Sequence, residues 1–216
     1  MKLLAISDVH SSKTSLSSLR RESFDAVLLA GDISNGSMSD VKEVLKFLRD
    51  LGSPVFFVPG NMDPKSLLDV HELEGCLNIH GDKSYLGRYS IGGVGGGTIS
   101  PFSTRIEFSE EEIGSLLKEL GRVDVILTHT PPFGTKLDRV RSGISVGSRA
   151  LRKYIEEYSP LLCVCGHIHE SSGVERIGDT LAVNPGSLSW GMYALIELNE
   201  DRVIAHLKSL CTSSNL

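Results

Sequence analysis

Four histidines, two aspartates and one asparagine sit in short motifs along the 216-residue chain, and their side-chain atoms are of the kinds that bind metal ions. Asp8 and His10 stand two residues apart, so on an extended segment both side chains project to the same side. Alone this pair is weak, because composition yields roughly 0.4 such pairs by chance. Gly166-His167-Ile168-His169 carries more weight, with a chance expectation of roughly 0.02. Gly31-Asp32, Gly60-Asn61 and His129 say little one by one. Taken in order they offer imidazole nitrogens, carboxylates and an amide oxygen, with no thiolate. That donor set suits Mn²⁺, Fe²⁺, Co²⁺, Ni²⁺ or Zn²⁺ and argues against an iron-sulfur cluster.

The elements around these residues follow a βα rhythm. Apolar runs at 2–6, 25–29 and 54–58 read as buried strands. Between the second and third, Val41, Val44, Leu45 and Leu48 repeat at helical spacing. Ser109 and Glu112 have the spacing of a capping box ahead of Ile113, Leu116, Leu117 and Leu120, which predicts a helix leading into a strand over 123–128. Leu151, Tyr154, Ile155 and Tyr158 form a third stripe that stops at Pro160 and leads into a strand over 161–165. Each motif thus falls just past the carboxyl end of a strand, where ligand sites of α/β sheets gather. Two stretches, 84–94 and 180–207, break the rhythm and read as antiparallel strands of a second sheet, with a tight turn at 199–201.

Composition narrows the function. Hydrophobic residues at 40% and charged residues at 23% fit an ordinary folded domain, expected over 1–211 with a frayed tail over 212–216. No apolar run approaches a membrane span and the start turns polar at Ser7-Asp8, so a cytoplasmic protein without membrane contact is expected. A net charge of −5 gives no strong nucleic-acid footprint. Cys76, Cys163, Cys165 and Cys211 lack paired spacing, and Cys163 and Cys165 read as core thiols.

The blocks Asp8-x-His10, Gly31-Asp32, Gly60-Asn61-x-Asp63, His129 and Gly166-His167-x-His169 resemble the signature of the calcineurin-like metallophosphoesterase superfamily. The small size and Asn184-Pro185-Gly186-Ser187 are similar to its compact single-domain prokaryotic phosphodiesterase branch. The resemblance implies a four-layer α/β/β/α sandwich, with two mixed sheets face to face and metal ligands at strand carboxyl ends. It also implies two divalent ions, Mn²⁺ foremost, one held by Asp8, His10, Asp32 and His169 and the other by Asp32, Asn61, His129 and His167. The implied reaction is hydrolysis of a small phosphate ester, foremost a phosphodiester, by a metal-bridging hydroxide. The alternatives are a phosphomonoesterase, a 2′,3′-cyclic nucleotide phosphodiesterase and a non-catalytic scaffold of the same fold. Two such ions with Asp8, Asp32 and a hydroxide leave a charge of about +1 for an anionic phosphate.

Many members of that superfamily carry a histidine after the Gly-Asn pair, where this chain has Met62, and a thioether cannot protonate a leaving oxygen. Substrates with good leaving groups are therefore expected to be favoured. Asp63 precedes Pro64 and reads as a helix cap. Arg139 and Arg141, in a polar loop, are candidates for binding substrate, and the glycine-rich run 92–97 reads as a flexible loop. His71, His80 and His206 match no block and are expected on the surface or a sheet face. A sheet edge or the segment 190–192 is a candidate for self-association.

Overall fold

The structure, a computed structural model, describes residues 1–199 and 202–210. In chain order the strands are β1 (Lys2–Ile6), β2 (Ala26–Ala30), β3 (Val55–Val58), β4 (Glu72–Leu73), β5 (Cys76–Asn78), β6 (Lys83–Leu86), β7 (Tyr89–Val94), β8 (Gly97–Thr98), β9 (Glu107–Phe108), β10 (Val125–Thr128), β11 (Leu162–Val164), β12 (Gly173–Ile177), β13 (Thr180–Asn184), β14 (Met192–Leu198) and β15 (Val203–Ser209). The helices are α1 (Lys13–Ser18), α2 (Met38–Arg49), α3 (Glu110–Leu120) and α4 (Arg149–Tyr158). A seven-stranded sheet runs β15-β14-β1-β2-β3-β5-β4, and a six-stranded sheet runs β12-β13-β11-β10-β7-β6. Each has a parallel centre, β1-β2-β3-β5 in one and β13-β11-β10-β7 in the other, flanked by antiparallel edges.

Alternation along the strands explains the layering. Leu3, Ala5, Leu28, Phe56 and Val58 of the first sheet face Val125, Leu127, Leu162 and Val183 of the second in one buried cluster. The intervening Leu4, Ile6, Val27, Leu29 and Phe57 turn outward onto Leu16 of α1 and onto Val41, Val44, Leu45 and Leu48 of α2. On the far side Ile126, Cys163 and Ala182 meet Ile113, Leu117 and Leu120 of α3 with Leu151, Tyr154 and Ile155 of α4. Both faces of both sheets are therefore apolar, and the result is the four-layer α/β/β/α sandwich. Truncating one of these buried leucines to alanine would cost about 2–5 kcal/mol.

The helix starts follow the side chains that cap them. Ser109 and Glu112 form the reciprocal capping box of α3, while Ser37 and Ser148 accept hydrogen bonds at the starts of α2 and α4. Two expectations need correction. The stretch 180–207 does not lie in one sheet, since β13 joins the second while the β14–β15 hairpin adds to the outer edge of β1 in the first. The glycine run is also no loose loop, because Gly92 and Gly93 belong to β7 and Gly97 to β8. A Cβ at Gly93 would lie 2.6 Å from Leu127 O, so the absent side chains let the strand pack closely. The expected turn at 199–201 and the boundary at 211 with its tail fall largely on residues outside those described. Among the described residues no helix is long and apolar enough to cross a membrane.

Candidate metal centre

Asp8 and His10 follow β1, Asp32 follows β2, Asn61 follows β3, His129 follows β10, and His167 and His169 follow β11. The two sheets point these strand ends at one another. Contact between them depends on small side chains: a Cβ on Gly166 would collide with Ser7 Oγ and lie 2.8 Å from Asp8 Oδ2, and one on Gly60 would collide with Asp32. Asp8, His10, Asp32 and His167 all have positive φ, between 47° and 70°. Among the described residues, four of the eight non-glycine residues in that strained conformation are thus candidate ligands, and such strain concentrates at functional sites.

The seven candidate residues form one connected group. Nε2 of His169 lies 3.1 Å from Asp8 Oδ1 and 3.4 Å from His10 Nε2, and His10 Nε2 lies 3.9 Å from Asp32 Oδ2. Deeper, His129 Nε2 is 3.6 Å from Asp32 Oδ1 and 2.8 Å from Asn61 Oδ1. The His167 ring sits 4.9 Å from that of His129, and its backbone N–H donates to Asp8 Oδ2 at 3.0 Å. Asp8, His10 and His169 can converge on one ion, and Asp8, Asp32 and His129 on another.

Two features ask for a cation there. His129 Nδ1 lies 2.7 Å from Ala30 O, and a carbonyl only accepts, so Nδ1 carries the proton. Nε2 of the same ring faces Asn61 Oδ1 at 2.8 Å and Asp32 Oδ1 at 3.6 Å, so an imidazole nitrogen, an amide oxygen and a carboxylate oxygen converge on one spot. The second feature is Asp8 Oδ1, which is buried without a well-formed hydrogen bond. The donor set and this orphaned oxygen both fit divalent ions.

The protonation pattern of the bare protein agrees. Burial pushes the Asp8 carboxyl up, but the His169 imidazole beside it, nearby His129 and the Ser7 hydroxyl outweigh it and hold it at about 2. Burial and the neighbouring Asp8 charge push Asp32 upward. Burial and His129 lower His167 to about 3, so its ring is a neutral donor. His169 is raised by the Asp8 carboxylate beside it.

Surrounding residues hold the group in place. Ser7 Oγ donates to Asp8 Oδ2 at 2.5 Å, and Asn35 Oδ1 pairs with His10 Nδ1 at 2.8 Å. In the 184–187 segment Asn184 Nδ2 donates to Ile168 O at 3.0 Å and Ser187 Oγ to Asp8 O at 2.9 Å, which stitches the two sheets together at the site. The reading of Asp63 as a helix cap is overturned. The short turn Lys65–Asp69 has no side-chain cap. The Asp63 carboxylate instead accepts from the backbone N–H groups of Ile33, Ser34 and Gly60, tying the Asp32 loop to the Asn61 loop.

Arg139 and Arg141 are exposed on a loop tethered to Glu170 and Ser171, and neither guanidinium contacts the seven residues among the described contacts. Sequence reasoning missed Arg105. Its Nη1 donates to Met62 O at 3.3 Å, and a Cβ on Gly36 would lie 2.5 Å from its Nε, so the guanidinium lies across the gap between the Asn35–Gly36 turn and Met62. Nothing in the local sequence around 105 marks it. Cys163 and Cys165 are fully buried with thiols raised by burial, Cys163 to about 12, as core thiols should be.

The family model for the calcineurin-like phosphoesterase superfamily domain matches residues 1–201. An uncharacterised protein of Methanocaldococcus jannaschii is 36% identical over 203 residues, covering 89% of this chain and 91% of its own length. A crystal structure from Thermus thermophilus matches with a TM-score of 0.67 at 22% identity, over 95% of this chain and 97% of that one. The 5′-nucleotidase of Candida albicans matches with a TM-score of 0.60 at 12% identity, over 99% of this chain and 52% of that one. At these identities the two structures show a shared fold.

Proposed function

We propose, from the premise that this chain belongs to the calcineurin-like phosphoesterase superfamily, that it is a dinuclear metal-dependent phosphodiesterase acting on small phosphate esters. The observation that carries this reading is the convergence of ligand atoms from Asp8, His10 and His169 at one point and from Asp8, Asp32 and His129 at another, beside the buried Asp8 Oδ1. Asp8, His10, Asp32 and His169 would hold one divalent ion, and Asp32, Asn61, His129 and His167 the other. When bound, such ions supply an activated water at neutral pH and positive charge for the phosphate.

The protein's own groups define the rest. Asp32 faces both His10 and His129, and the Met62 N–H at 2.8 Å from Oδ1 orients it. Asp8 stays ionised throughout the neutral range. Met62 offers no proton to a leaving group, whereas Arg105, held at Met62 O, offers charge and several N–H donors beside that position. A guanidinium does not give up its proton near neutral pH, so it stabilises a leaving oxygen without protonating it. This arrangement favours esters with good leaving groups. Arg139 and Arg141 remain candidates for the outer part of the substrate.

The test is metal removal followed by addition of Mn²⁺, with bis-nitrophenyl phosphate and nitrophenyl phosphate compared. The expected result is restored hydrolysis with preference for the diester. Preference for the monoester would make the protein a phosphomonoesterase. No hydrolysis of either, with metal content unchanged by Asp32→Asn, would leave a scaffold of this fold.

A further inference from the structure

Among the described residues eight large hydrophobic side chains are exposed, and Ile99, Phe102, Ile144 and Trp190 belong to loops tied to the candidate centre. The loop carrying Ile99 and Phe102 is anchored by Arg105 N and Ile106 N to Asn61 O at 3.0 and 3.1 Å. The loop carrying Ile144 is tethered through Arg141 N to Glu170, next to His169. The turn carrying Trp190 is bonded through Leu188 N to Ser7 O at 2.8 Å and through Ser189 N to Asp8 O at 3.2 Å. Trp190 is the chain's single tryptophan and is 55% exposed. Its ring stands 5.1 Å from the His169 ring with the planes at 89°.

A polar centre built for phosphate has no need of an exposed indole against one of its histidines if its substrate is wholly hydrophilic. An indole held by a backbone-anchored turn is a preorganised stacking surface. We propose that Trp190 forms a subsite for a planar ring, a nucleobase or aryl group, carried by one ester arm of the substrate. This rests on the phosphoesterase reading and adds to it the class of substituent selected. Stacking on an aromatic side chain is worth about tenfold in affinity.

The experiment uses the Mn²⁺-loaded protein with two ligands that share a phosphate and a ribose and differ in the ring, adenosine 5′-monophosphate and ribose 5-phosphate. Calorimetry should show the first binding about tenfold tighter, and only the first should change Trp190 emission, which reports this one site. Trp190→Ala should bring the two affinities to within about twofold while both metal ions are retained, and Trp190→Phe should keep most of the difference. Equal affinities in the unaltered protein, or a preference that survives Trp190→Ala, would overturn the ring subsite and leave the phosphoesterase reading standing. Failure of the metal-loaded protein to bind either ligand would overturn both.

Discussion

The inner and outer halves of the candidate centre are built differently. Of the side chains assigned to the inner ion, which lie at strand ends of both sheets, His129 is 0% exposed, Asp32 3% and Asn61 5%, while His167 is half-buried. The outer pair, His10 and His169, have side chains 18% and 25% exposed. His129 is oriented by a main-chain carbonyl of β2, whereas His10 is oriented by the side chain of Asn35 and His169 lies against Trp190. Ligands fixed by the sandwich itself cannot relax without disturbing the core. Those fixed by surface turns can, so the inner ion should be retained and the outer one exchange.

The largest effect is expected at Asp32, which faces both halves. Asp32→Asn preserves shape but removes the shared charge, so turnover should fall on the order of 10³-fold, about 4 kcal/mol of barrier. Bound metal, measured by elemental analysis, should fall to about one ion or fewer per chain. A variant that keeps activity within tenfold and both ions would show that Asp32 does not join the halves.

The next contrast separates them. His10→Ala should leave about one tightly held ion and change the stability of the metal-free protein by less than about 1 kcal/mol, because the ring is partly exposed. His129→Ala should lose the inner ion and destabilise the metal-free protein by roughly 2–3 kcal/mol, since it leaves a cavity and removes the buried hydrogen bond from Nδ1 to Ala30 O. Chemical denaturation beside metal analysis measures both. Equal losses in the two variants would erase the distinction between inner and outer positions.

Both halves were legible as ligands, whereas what holds them was not. Asp32, Asn61 and His167 follow glycines at strand ends, and Asp8, His10, His129 and His169 stand at the same kind of position, so all seven could be singled out from residue types and order. The α3 capping box could be read for the same reason, because Ser109 and Glu112 are three residues apart. Contacts between distant segments leave no such trace. The carboxylate of Asp63 reaches back 30 residues to Ile33, and Arg105 reaches 43 residues back to Met62, so neither role follows from its neighbours in sequence. The sheet assignment of β13 and β14 failed for a related reason: alternation gives strand faces, while the choice of sheet is made by long-range pairing. The glycine run looked loose because its packing partner, Leu127, lies more than thirty residues further on.

The smallest expected effect concerns what backs the inner half. His80 was expected on the surface or a sheet face, yet its Nδ1 accepts from Gly95 N at 2.9 Å and its ring stacks 5.5 Å from that of Phe108. Gly96 N, the next amide, donates to Pro59 O at 2.8 Å, just ahead of Gly60 and Asn61. Burial lowers His80 from the ordinary histidine value of 6.5 to about 4. A histidine with a lower pKa in the folded state binds its proton more readily when unfolded, so its contribution is intact above pH 6.5 and is lost as pH falls towards 4. For the metal-free protein this histidine alone should remove about 2 kcal/mol between pH 7 and pH 5. His80→Gln retains an acceptor but does not titrate, so its stability should fall less steeply over that interval, while the other buried groups contribute equally to both proteins. Parallel pH profiles would mean that His80 does not support the Asn61 loop through its neutral ring, and that the inner half owes its rigidity to the strands alone.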